Sequence, residues 1–196
     1  MLNPISIMAE QLGDYLSHLY LQYFSHRRPE FASYLGGAAR LVLERIGNST
    51  ALYHNIEHTM MVTLAGQQII RGRLLSEKVL PEDWLHYTCA LLVHDIGFVR
   101  GVCEGDGDGT VVINEQGDTY TPPRGASDAV LAPYHIDRAK IYARERFGPS
   151  QMVDEERIIR SIEMTRFPAP AGEFYSETTS EAALVCLLYT SDAADE

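Results

Sequence analysis

The stretch Cys89-Ala-Leu-Leu-Val-His-Asp-Ile-Gly97 decides how this chain is read. Cys89 to Val93 is apolar on every side, which marks a helix at the centre of a fold rather than on its surface. His94 and Asp95 follow directly. A carboxylate emerging from a buried helix costs several kcal/mol unless it is paired or bound to a cation. Two accounts fit that position: a structural His–Asp pair at a helix end, or a metal site. The helix itself starts after Pro81, with proline in the first turn and Glu82-Asp83 at its positive end, and Gly97 is its expected stop.

Upstream, apolar residues at helical spacing (Ile56, Met60, Met61, Leu64, Ile69, Ile70) predict a helix that starts near Tyr53. On it His54 and His58 stand four apart, so they share one face a turn apart. Imidazoles at that spacing can converge on a metal or divide the work between metal and substrate. The zinc-protease signature has Glu directly after the first histidine; here Asn55 stands there, and that reading fails. Two earlier helices are expected, over Ile5 to Phe24 and from Pro29 to Ile46. Gly36-Gly37 weakens the middle of the second and Gly47-Asn48-Ser49 breaks it. His18 and His26 read as surface or core-edge residues.

Downstream, residues 101–133 are rich in Gly, Asp, Pro and Thr. Within them Thr110–Ile113 and Asp118–Thr121 flank Asn-Glu-Gln-Gly and predict a small hairpin. A connection of this length is usually a functional lid or a mobile loop. Helical periodicity returns over Leu131 to Phe147 and Val153 to Thr165, where Pro168-Ala-Pro170 stops it. A last helix opens near Thr179-Ser180. The expected architecture is all-α: one helical domain over residues 1–185 with an irregular, hairpin-containing insertion around 101–133.

The composition narrows the function. The chain has 196 residues, 16 Lys plus Arg against 27 Asp plus Glu, and a net charge of −11. Such a chain is a poor binder of nucleic-acid polymers, whose phosphates it cannot neutralise, though a small phosphorylated ligand can still be held by a metal or a few local cations. Its 3 Cys are too few for a disulfide framework, which suits a reducing, cytoplasmic setting. No apolar run is long enough to span a membrane. No Gly-x-Ser-x-Gly element or P-loop occurs. The final segment, 186–196, resembles the translation of a transposase sequencing adapter, so the natural chain is expected to continue past Val185. Without that segment's Asp192, Asp195 and Glu196 the charge goes from −11 to −8 and stays acidic.

Tyr53-His-Asn-Ile-Glu-His58 together with Leu91-Leu-Val-His-Asp-Ile-Gly97 resembles the HD-domain superfamily of metal-dependent phosphohydrolases. The first element is similar to the His-Asn-x-x-His motif of cyclic nucleotide phosphodiesterases. The resemblance implies an HD-type helical bundle in which His58, His94 and Asp95 hold metal and His54 is the general acid that protonates the leaving alkoxide. Asn55 would support the pocket. A further Asp ligand is expected on a C-terminal helix; Glu181–Val185 breaks off where it should follow, so the chain as it stands is expected to bind metal poorly.

The implied cofactor is one or two divalent ions: Mn, Mg, Fe or Zn. The implied reaction is hydrolysis of a phosphate ester or diester of a nucleotide-like small molecule by metal-activated water. Some HD proteins instead hold two irons and oxidise their substrate with O₂, and a metal-binding sensor without turnover is the non-enzymatic alternative. His135 either joins the pocket as a ligand or simply begins a helix. Arg138, Lys140 and Arg166 are candidates to meet phosphate or to lie on a solvated helix face. Glu104-Gly-Asp-Gly-Asp-Gly109, with Glu115 at the twelfth place, nearly spells a calcium loop, but an acidic turn leading into the hairpin is the preferred reading.

Overall fold

The computed structural model describes residues 2–176, 180 and 182–186. It is all-α apart from one two-stranded hairpin. The long helices are α1 (Pro4–Phe24), α2 (Glu30–Ile46), α3 (Ile56–Arg73), α4 (Pro81–Val93), α5 (His135–Phe147) and α6 (Glu155–Glu163), and residues 182–186 are helical as well. Among the described residues no helix is long and apolar enough to cross a membrane.

Four of the helices, α1, α3, α4 and α6, start where a side chain accepts from a backbone N–H at the helix head. Asn3 accepts from the Ile5 N–H, with Pro4 at the first helical position. Asp83 accepts from the Leu80 N–H at the head of α4, and Asp154 from the Glu156 N–H at the head of α6. α1 and α2 form an antiparallel pair that crosses at Gly13 and Gly36. A Cβ on Gly13 would sit 2.7 Å from the Gly36 carbonyl oxygen, and one on Gly36 would sit 2.4 Å from Ser17 Oγ. The glycine that weakens α2 as an isolated helix is thus what lets the two backbones meet.

α4 is the centre. Every residue from Trp84 to Val93 is buried, and the helix packs against α2, α3 and α6. Its all-round apolar character follows from having neighbours on all sides. A short 3₁₀ turn, Ile96–Phe98, continues the chain and packs against α5.

The insertion contains the expected hairpin: β1 (Val111–Val112) pairs antiparallel with β2 (Thr119–Tyr120), in the register Val111 to Tyr120 and Val112 to Thr119. Gly117, at φ +83°, closes the turn in the left-handed conformation that glycine adopts freely. The segment is not a detached flap. Val111 and Leu131 pack with Ala51 and Phe98 in a small apolar cluster of their own. A second 3₁₀ turn, Asp128–Leu131, stands apart from α5, so the periodicity over Leu131 to Phe147 covers two elements rather than one helix.

Candidate metal centre

Three segments meet at the centre: the start of α3, the turn after α4 and the start of α5. α3 begins at Ile56, not Tyr53, so His54 precedes the helix and does not share a face with His58. Asn55 is the cap that fixes this boundary. Its Oδ1 accepts from the His58 N–H at 3.1 Å and its Nδ2 donates to the Leu52 carbonyl at 2.6 Å. Asn55 therefore orients the helix start that carries His58. The preceding loop is held by Asp128, which accepts from the Thr50 N–H at 2.8 Å and pairs with Arg100.

α4 ends at Val93, and His94 and Asp95 lie in the turn that follows. Both are buried, with relative exposures of 3% and 2%. Asp95 Oδ2 is 3.1 Å from His58 Nε2 and 3.2 Å from His94 Nε2, and Asp95 Oδ1 is 4.0 Å from His135 Nε2. Ligand atoms of His58, His94 and Asp95 all lie within 4.8 Å of one another, as a group that could hold an ion.

The hydrogen bonds fix which ring nitrogens face inward. His94 Nδ1 lies 2.8 Å from the Leu91 carbonyl and His135 Nδ1 lies 2.6 Å from the Ala132 carbonyl. A carbonyl can only accept, so each Nδ1 carries the proton and, in the neutral ring, each Nε2 presents a lone pair. Holding one ring nitrogen with a backbone carbonyl while the other is left for a ligand is how metal-binding histidines are ordinarily oriented. Both Asp95 oxygens and His135 Nε2 are buried without a hydrogen-bond partner. Lone pairs and a carboxylate crowded together in the interior repel unless a cation sits among them, so this donor set fits a divalent ion. Burial alone would push the Asp95 carboxyl upward, but positive charge on the adjoining His94, His58 and His54 rings, when they are protonated, holds it well below the usual carboxylate range. Burial pushes the His135 imidazole down, against the pull of Asp95.

His54 enters from outside this group. Its ring stacks on Phe98 (centroids 4.1 Å apart, planes at 14°), and Phe98 also stacks with His135 (4.5 Å, 20°), so that the two histidine rings lie 6.2 Å apart. The His54 ring is 5.6 Å from that of His58. Gly97 makes the approach of α5 possible: a Cβ there would lie 1.9 Å from the His135 carbonyl oxygen.

The three basic candidates are engaged elsewhere. Arg138 is completely buried. It donates to the carbonyls of Gly97, Val99 and Val112 and to both oxygens of Asp106, so all five of its N–H groups have acceptors. It does not lie on a solvated face, and no N–H is left over to meet a phosphate. Lys140 pairs with Asp137 and Glu163, and Arg166 with the same two carboxylates. The calcium reading fails because Asp106 faces Arg138 and the N–H groups of Val102, Cys103 and Val112. The late Asp ligand has no counterpart among the described residues, and Asp192 and Asp195 lie outside them.

Phe98 and Asp128 are not singled out by the sequence, and Gly97 and Asp106 are read there only as a helix stop and as part of an acidic turn. Gly97 had a readable sign, since it directly follows the His-Asp turn; the others act through partners distant in the chain. No curated protein and no solved structure matches the chain. The model of one family, described as Npun_R2479-like, matches residues 2–192. A match over nearly the whole length places the chain: it belongs to the Npun_R2479-like family.

Proposed function

We propose that the protein is a metal-dependent phosphohydrolase of the HD type, cleaving a phosphate ester or diester of a nucleotide-like small molecule. The observation that carries this reading is the buried Asp95 carboxylate, both oxygens without hydrogen-bond partners, facing the Nε2 atoms of His58, His94 and His135. His58, His94 and Asp95 would hold the ion, with His135 beside them. A divalent cation there supplies Lewis acidity and water acidic enough to serve as hydroxide near neutral pH.

The chain's own residues do the rest. Asn55 and the Leu91 carbonyl orient the two histidine ligands. The apolar shell of α4 keeps bulk water from the carboxylate. His54, outside the ligand group, donates a proton from its imidazole to the departing alkoxide oxygen. Lys140 and Arg166 are already neutralised by acids, so charge on the substrate is met chiefly by the cation.

The test is to load the purified protein with Mn²⁺, Mg²⁺, Zn²⁺ or Fe²⁺ in turn, measure bound metal, and follow cleavage of bis-p-nitrophenyl phosphate and of cyclic and linear nucleotides. Turnover that tracks bound metal is the expected result. Metal-loaded protein that cleaves none of these phosphate esters, or cleavage that is independent of bound metal, would end the reading. O₂ consumption by the iron-loaded protein without phosphate release would replace hydrolysis with oxidation.

A further inference from the structure

Arg138 reaches the metal centre without touching it. Its Nε donates to the Gly97 carbonyl at 2.7 Å and its Nη2 to the Val99 carbonyl at 2.8 Å, so the guanidinium grips the backbone on both sides of Phe98. The Phe98 ring, in turn, is the surface on which both His54 and His135 stack. Asp95 opens the same turn, with its carbonyl accepting from the Phe98 N–H at 3.1 Å. The bidentate Asp106 carboxylate fixes the guanidinium from the far side at 2.9 and 2.8 Å. Asp106 is itself locked by three backbone N–H groups of the insertion, at Val102, Cys103 and Val112. Arg138 also sits three residues after His135 on α5, one turn along the same face.

We propose that Asp106 and Arg138 are a positioning pair for the centre: by clamping residues 97–99 against α5 they set where Asp95, His135 and His54 stand relative to one another, and so tie the insertion to the site. A lysine could keep the charge but not the planar fork that serves three carbonyls and a carboxylate at once. Supporting groups of this kind change metal affinity by about 10–100-fold when removed. The metal part of the claim rests on the proposed cation site; the effect on His54 and His135 does not.

The experiment uses the full chain and three variants: Asp106→Asn, Arg138→Lys and, as a core lesion outside the clamp's hydrogen bonds, Ile158→Val in α6. Folding is checked by circular dichroism and melting. Two readouts follow, the visible spectrum and affinity of added Co²⁺, and the imidazole NMR resonances of the metal-free protein. The expected result is that Asp106→Asn and Arg138→Lys weaken Co²⁺ binding by about 10–100-fold and alter its d–d bands. The His54 and His135 resonances should shift while His18 and His26 stay put. Ile158→Val should lower only the melting temperature. Unmoved histidine resonances in a folded Asp106→Asn or Arg138→Lys variant would overturn the proposal. So would an unchanged Co²⁺ spectrum, or the same changes in Ile158→Val. If wild-type protein takes up no Co²⁺ yet the histidine resonances move as stated, the metal reading fails and the clamp stands.

Discussion

Asp95 carries a heavy local cost, a carboxylate sealed from water whose oxygens accept no hydrogen bond. Replacing it by Asn keeps the shape and removes the charge that would hold a cation. Asp95→Asn is therefore expected to lose bound metal, measured by elemental analysis, while remaining folded. His54 sits in a different electrostatic place, stacked on Phe98 outside the ligand group. His54→Ala should retain metal and lower turnover of diesters by about 10²–10⁴-fold, the usual worth of a positioned general acid. Loss of metal with activity retained would reverse the two roles. The sequence showed these residues because a buried run ending in His-Asp is legible in one dimension. It could not show the Arg138 clamp: the acid that neutralises Arg138 lies 32 residues away in an irregular segment, and a charged residue at a helical position looks like surface until its partner is known.

Among the elements, α1, α2, α4 and the hairpin could be drawn from periodicity, prolines and turn residues, because each is set by its own sequence. The start of α3 could not. Apolar spacing runs smoothly from Tyr53, and only the side chain of Asn55, turned to the His58 N–H, places the boundary three residues later. The same blindness merged the Asp128–Leu131 turn with α5. The junction between that helix and the turn after α4 depends on Gly97. Gly97→Ala would drive a methyl into the His135 carbonyl, and since that atom is backbone, α5 itself must retreat. The expected cost is about 1–3 kcal/mol or more in urea unfolding, accompanied by weaker metal binding as His135 withdraws. A Gly97→Ala protein of unchanged stability would mean that α5 is not seated as described.

At the scale of the whole molecule, acid sensitivity has an identifiable source. Burial would raise the Glu163 carboxyl, but hydrogen bonds from Arg166, Lys140 and Tyr175 outweigh it and lower its pKa from 4.5 to about 2. A carboxylate depressed by folding stabilises above its unfolded pKa and gives that stability up as pH falls toward the folded one. The difference in unfolding free energy between wild type and Glu163→Gln should be largest near neutrality, shrink below pH 4.5 and close near pH 2, as measured by denaturant titration at a series of pH values. A gap that persists in acid would place the pair's contribution elsewhere. The hairpin has a different consequence. Its base is rooted through Asp106, whereas the turn around Glu115 and Gln116 is exposed and is joined to α5 by the solvent-facing Arg144 pair. Lengthening such a tip costs little, about 0.6 kcal/mol for each doubling. An epitope spliced between Glu115 and Gln116 should thus be displayed to an antibody on the native protein with melting almost unaltered, which makes this bend a handle for capturing the molecule without disturbing its histidines.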